Sequence, residues 1–160
     1  MRVFVDSSTM IALARIGELG FLKEMIGEVC ITSCIEKEIL SPGFPETAAI
    51  EKAVGDWILI VPLKGNAGRF RKYGLGEGES SLFLAENKDI LVIDELNARR
   101  LAEAEGRPFT GLLGLIVAAA ESGSIGKDRA RSMVDRLSES SFRMSATLYR
   151  DIVRRLDYLE

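Results

Sequence analysis

The sequence predicts an α/β fold, a parallel sheet covered by helices on both faces. Three observations carry that expectation. Short apolar runs alternate with helical patterns along the whole chain. Those runs are apolar almost without interruption, as strands buried on both faces are. The chain has 160 residues, 47% of them hydrophobic and 28% charged, which suits a single domain over residues 1–160 closing one substantial core.

Residues 2–6 (RVFVD) read as the first strand, followed by a helix over 8–16 behind a Ser/Thr start. A short helix over 18–26 leads to a strand at 28–32 (EVCIT). Ser33 with Glu36 has the capping-box spacing and predicts a helix over 34–40. Ser-Pro-Gly-Phe-Pro at 41–45 breaks the chain, and a helix over 46–54 precedes the strand WILIV at 57–61. Residues 62–78, rich in Gly, Lys and Arg, read as irregular. A helix over 79–87, the strand ILVID at 90–94 and a helix over 96–105 follow. A brief strand at 108–110 then leads into helices over 112–121, 127–138 and 146–158. In the last of these, Leu148, Ile152, Leu156 and Leu159 make an apolar stripe of the kind that joins a core.

Composition removes several chemistries. The chain has no histidine, which excludes Ser-His-Asp and Cys-His catalysis and any His-ligated zinc. Its two cysteines, Cys30 and Cys34, are too few for a structural zinc site and read as reduced, buried thiols of a cytoplasmic protein. The net charge of −3 argues against attachment to nucleic acid by bulk charge alone. Mean hydropathy of +0.11 suits a chain that buries surface in a partner or dimer. An early acid, Asp6, interrupts any signal-peptide pattern, and the longest uncharged run, Pro108 to Ala120, is shorter than the ~20 residues of a membrane span. No membrane association is expected.

The acids carry the functional signal. Asp6 ends the first strand and Asp94 the fourth, and ligands of open parallel sheets sit beyond the carboxyl ends of strands. A helix N-cap is the competing role for either. Glu38 lies three residues after Ile35 and borders the buried face of its helix; Glu79 precedes Leu82 and Phe83 and faces inward. Taken singly, Glu38 reads as a solvated surface acid and Glu79 as a helix-start acid favoured by the dipole. Together, four converging acids need a compensating cation. An all-oxygen ligand set without His or Cys selects Mg²⁺ or Mn²⁺, and the natural chemistry is metal-assisted hydrolysis of a phosphodiester.

In order, the motifs are VFVDSS (3–8), Ile35-Glu36-Lys37-Glu38, GLGEGES (74–80) and LVIDE (91–95). Ala98-Arg99-Arg100, Thr110-Gly111-Leu112-Leu113-Gly114 and SFRMSATLYRDIVRRL (141–156) follow. This pattern resembles the PIN-domain ribonucleases, in particular the VapC-like toxins of prokaryotic toxin–antitoxin pairs, over nearly the whole chain. The resemblance implies a three-layer α/β/α sandwich around a parallel sheet of about five strands. It implies Asp6, Glu38, Glu79 and Asp94 as the catalytic acids, with Asp6, Glu79 and Asp94 holding Mg²⁺ or Mn²⁺, and single-stranded RNA as substrate. It also implies a homodimer and, for a toxin, an antitoxin protein covering the cleft. Ser8 matches a polar position that hydrogen-bonds a carboxylate or a bound water, or else caps a helix. Glu77 competes with Glu79 for the third position, Glu79 being preferred because it opens the helix. Glu95 competes with Asp94, and Asn97 stands where relatives sometimes carry a fifth acid.

Residues 64–74 hold Lys64, Arg69, Arg71 and Lys72 without an acid, and Phe70 and Tyr73 offer rings for base stacking. A solvated flexible loop is the competing reading. Arg99 and Arg100 begin the helix after Asp94; one is placed to meet a phosphate and the other to pair with Glu103. The alternative to a nuclease is a catalytically inactive PIN-like module that binds RNA or a protein. A haloacid-dehalogenase-like phosphatase with Asp6 as nucleophile ranks lower, because Ser8 stands where its second Asp belongs.

Overall fold

The computed structural model describes residues 1–160. They form two compact units, Met1–Thr110 and Gly111–Glu160. The first holds β1 (Val3–Val5), α1 (Ser7–Arg15), α2 (Gly20–Ile26), β2 (Val29–Thr32), α3 (Ser33–Ile39), α4 (Pro45–Ala53) and β3 (Ile58–Val61). A 3-10 helix (Ala67–Tyr73), α5 (Glu77–Leu82), β4 (Ile90–Val92), α6 (Leu96–Ala104) and β5 (Phe109–Thr110) complete it.

The five strands make one all-parallel sheet in the order β3-β2-β1-β4-β5, with helices on both sides. From β1 the chain steps outward through β2 to β3, then returns past β1 to β4 and on to β5. Right-handed crossovers therefore place helices on one face before the return and on the other after it. The change of direction falls between β1 and β4, which pair in register as Val3–Ile90, Phe4–Leu91 and Val5–Val92. A switch point of this kind opens a crevice at the carboxyl ends of its two strands. At the opposite end, the buried Asp89 carboxylate accepts from the Arg2 backbone and guanidinium, each at 2.9 Å, and fixes the same pair.

The core behaves as the apolar runs require. Phe4, Val5, Val29, Ile31, Ile58, Leu91 and Val92 are fully buried in the sheet. Beside them lie Met10, Leu13, Phe21, Leu22, Ile35 and Ile50 from the helices. The second unit comprises α7 (Leu112–Glu121), α8 (Lys127–Ser138) and α9 (Ala146–Asp157), which pack on one another. α7 is apolar through most of its length, α8 buries Met133, Val134 and Leu137, and α9 buries Ile152 and Leu156.

Several expectations need correction. The cap of α3 is Thr32, whose Oγ1 accepts from Ile35 N at 3.1 Å, so the Ser33–Glu36 capping box does not form. Thr32 is the better cap because it still has the extended backbone of β2 while its hydroxyl already reaches the helix. The irregular stretch contains the 3-10 helix, started by Asn66 Oδ1 accepting from Gly68 N at 3.0 Å. It ends at Gly74, whose φ of +80° is the left-handed conformation glycine tolerates. α5 begins at Glu77 instead of Glu79 and ends at Leu82. The fourth strand stops at Val92, which leaves Asp94 two residues beyond it. On α9, Leu148 is 42% exposed, so the apolar stripe is buried only at its centre.

Candidate active site

Asp6 follows β1 directly and is 2% exposed. Its Oδ1 accepts from Thr9 N at 2.8 Å, which makes it the N-cap of α1, and its Oδ2 accepts from Asp94 N at 3.1 Å. The cap and the crevice roles therefore coincide in one residue. Thr9 Oγ1 donates to Asp94 Oδ2 at 2.7 Å. Thr9 thus holds both aspartates, one through its backbone and one through its hydroxyl. The pair occupies the β1/β4 switch point. Asp94 is half-buried there, while the neighbouring Glu95 caps α6 by accepting from Ala98 N at 3.0 Å.

Burial, and the charge of Asp94 after it, push the Asp6 carboxyl up to about 6, against the hydrogen bonds from Thr9 and Asp94. Two acids in one buried niche resist joint ionisation, and a cation between them would relieve both.

The two glutamates are brought to the same rim by short contacts. Glu38, on α3, is exposed, yet its Oε1 accepts from Gly78 N at 3.0 Å and its Oε2 from the Ser7 hydroxyl. It therefore ties the first residue of α1 to the first turn of α5. Glycine at 78 is required by that approach: a Cβ there would collide with the Glu38 carboxylate. Glu79 is half-buried and reaches back so that Oε2 accepts from Gly76 N at 3.1 Å. Burial raises its pKa, and the charges of Glu95 and Glu38 raise it further. Glu79 is thus the third residue of α5 and acts as its capping carboxylate, satisfying the backbone N–H of the cap residue Gly76.

The other sequence-predicted residues fall outside this network. Ser8 is exposed; the hydroxyls that bind carboxylates belong to its neighbours Ser7 and Thr9. Glu77 is exposed and paired with Arg71. Asn97 packs its amide against Gly74. Phe70 is buried against Phe83, with ring centroids 5.5 Å apart, and offers no stacking face; Tyr73 is 46% exposed and does. Arg69 lies over the Phe70 ring, Lys72 over Tyr73 and Arg99 over Phe109. Cys30 is buried and Cys34 half-buried, and both are free thiols.

The donor set is suited to a hard divalent ion, with Asp6 and Asp94 side by side and no nitrogen or sulfur ligand near them. Mg²⁺ sites commonly use one or two carboxylates and keep several waters. The pair meets that requirement. No three His, Cys, Asp or Glu side chains are grouped closely enough to form a fuller protein cage.

A family model described as a PIN domain matches residues 2–158. The chain belongs to the PIN-domain family. PIN domains are generally nucleases and typically use divalent metals. The match runs through both compact units of this PIN domain. No curated protein and no solved structure shows significant similarity to the chain.

Proposed function

We propose that this PIN domain is a Mg²⁺- or Mn²⁺-dependent endoribonuclease that cuts single-stranded RNA. The observation that carries the reading is the buried Asp6 joined to Asp94 by Thr9 at the sheet's switch point. Asp6 and Asp94 would hold the ion, which when bound would supply positive charge to the phosphate oxygens. Glu79 has Oε2 fixed by Gly76 N, which leaves Oε1 to accept a proton from the attacking water. Glu38, held by Ser7 and Gly78, fixes the α1–α5 edge of the crevice. Arg69, Lys72 and Tyr73 offer charge and a stacking ring to the strand, and Arg99 stands beyond Asp94.

The biological setting proposed is that of a cytoplasmic, homodimeric toxin whose antitoxin covers this crevice. Its support is the likeness of the motifs at 3–8, 74–80 and 91–95 to VapC-like toxins.

The test is cleavage of a mixed panel of single-stranded RNAs with Mg²⁺ or Mn²⁺, beside EDTA. Metal-dependent cutting by the wild type that is lost in Asp6→Asn and Glu79→Gln supports the reading. Cutting that survives both substitutions, or metal binding and cutting both absent, overturns it. The second reading, an inactive PIN module that binds RNA or a protein, is favoured by one observation. Both Glu38 oxygens and both Asp6 oxygens already accept hydrogen bonds from the protein. RNA binding without metal binding would select it.

A further inference from the structure

A cavity of about 370 Å³ lies on the same rim as the aspartates, one strand further along. Thr32 at the end of β2 and Pro62 and Leu63 just past β3 form part of its wall. Its volume falls within the range of small-ligand sites, about 300–1,000 Å³. The remaining wall comes from α5 and the 3-10 helix. Glu77, Ser80 and Ser81, with Leu84 just past the helix, are spaced to share one helical face, and all four line the cavity. The intervening residues face the acids: Gly78 N donates to Glu38, and Glu79 is the proposed base. One turn of helix therefore serves both places.

The lining has the chemistry of a ring site. Pro62, Leu63 and Leu84 give apolar walls, and the Arg71–Glu77 ion pair gives a donor and an acceptor at an exposed edge. Ser80 adds an unusual element. It is 1% exposed, and its hydroxyl has no hydrogen-bond partner. A buried hydroxyl left unpaired costs about 1–3 kcal/mol, and a ligand atom that reached it from the cavity would recover part of that cost.

Resting on the nuclease reading, we infer that this cavity is a base-recognition subsite. It takes one nucleobase of the single-stranded RNA next to the phosphate that an ion at Asp6 and Asp94 would hold. Ser80 and the Arg71–Glu77 pair read the edge of the base, and Pro62, Leu63 and Leu84 take its faces. The cleavage site would then be chosen by base identity at one position, while Lys72 and Tyr73 bind the strand without regard to sequence.

The experiment is amide NMR of the ¹⁵N-labelled full chain in EDTA, titrated with RNA tetramers that differ at one base. Ser80→Ala and Ala67→Trp are measured beside the wild type; Ala67 lines the cavity from the 3-10 helix and is only half-buried. The expected result is movement of the Cys34, Gly68, Ser81 and Leu84 amides, with affinity differing about tenfold between bases. Ser80→Ala should narrow that difference and Ala67→Trp remove it. Equal affinity for every base, or shifts that spare the cavity amides, overturns the subsite. Repeating the titration with Mn²⁺ separates the two ideas. Base-selective binding without cutting sinks the nuclease reading alone, and cutting without base selectivity sinks the subsite alone.

Discussion

The backbone N–H of Asp94 donates to Oδ2 of Asp6 over 3.1 Å, across 88 residues of sequence. Each aspartate follows a different strand of one register-matched pair, so the contact is a product of the sheet. It puts two carboxylates where the sheet has its crevice, and it gives one of them almost no water.

The metal-free protein should titrate Asp6 near pH 6, where an ordinary Asp titrates near 3.8. The folded chain then holds a proton that the unfolded chain releases, so the stabilisation is complete below 3.8 and is lost as pH rises through about 6. Carboxyl ¹³C shifts read the titration directly, and urea unfolding should give midpoints that fall across that window. Adding Mn²⁺ should lower the apparent Asp6 value. A carboxyl titrating near 3.8 without metal would contradict the burial argument.

Thr9→Val keeps the shape of a fully buried side chain and removes only the hydroxyl that donates to Asp94. A hydrogen bond to a charged group contributes about 1.5–3 kcal/mol, less here because Asp94 is partly exposed to solvent. The variant should unfold at slightly lower urea and bind Mn²⁺ more weakly, while the Asp6 cap persists through Thr9 N. Calorimetric titration with Mn²⁺ measures the second effect; unchanged affinity would remove Thr9 from the site.

Gly78→Ala places a methyl group against the Glu38 carboxylate. Glu38 is exposed and its side chain can swing away, so the fold should survive with a melting temperature within a few degrees of wild type. RNA cleavage should fall sharply, since the link between α1 and α5 through Ser7, Glu38 and Gly78 is broken. Loss of fold and activity together would mean that the glycine serves packing only.

Arg107 is 4% exposed and donates to the carbonyls of Phe83, Ala85 and Glu86 at 3.0, 2.9 and 2.9 Å. It pins the turn that follows α5, the helix that carries Glu79. Arg107→Met leaves those carbonyls without donors and should cost about 2–3 kcal/mol in urea unfolding. A variant as stable as wild type would show that the backbone there finds other partners.

The strands and both aspartates were legible because their signals are local. RVFVD and ILVID are apolar runs that end on an acid, and the parallel pairing does the rest. The hydroxyls were less legible. Ser7, Ser8 and Thr9 are adjacent, and which of them meets a carboxylate depends on the angle at which α1 leaves β1; Ser8, singled out by motif, points to solvent. The start of α5 was misplaced because Gly76 and Gly78 look like loop residues, whereas Gly78 is needed for the approach of Glu38. The 3-10 helix has no apolar periodicity to announce it. Arg107 gives no sequence signal, since its partners are carbonyls more than twenty residues away.

The most direct measurement is single-turnover cleavage of one RNA as a function of Mn²⁺ concentration, for wild type and Asp94→Asn. The arrangement predicts that the variant needs a much higher Mn²⁺ concentration and cuts more slowly at saturation, because half of the ion's carboxylate pair has lost its charge. An Asp94→Asn enzyme with the wild-type Mn²⁺ dependence and rate would contradict the placement of the metal between Asp6 and Asp94.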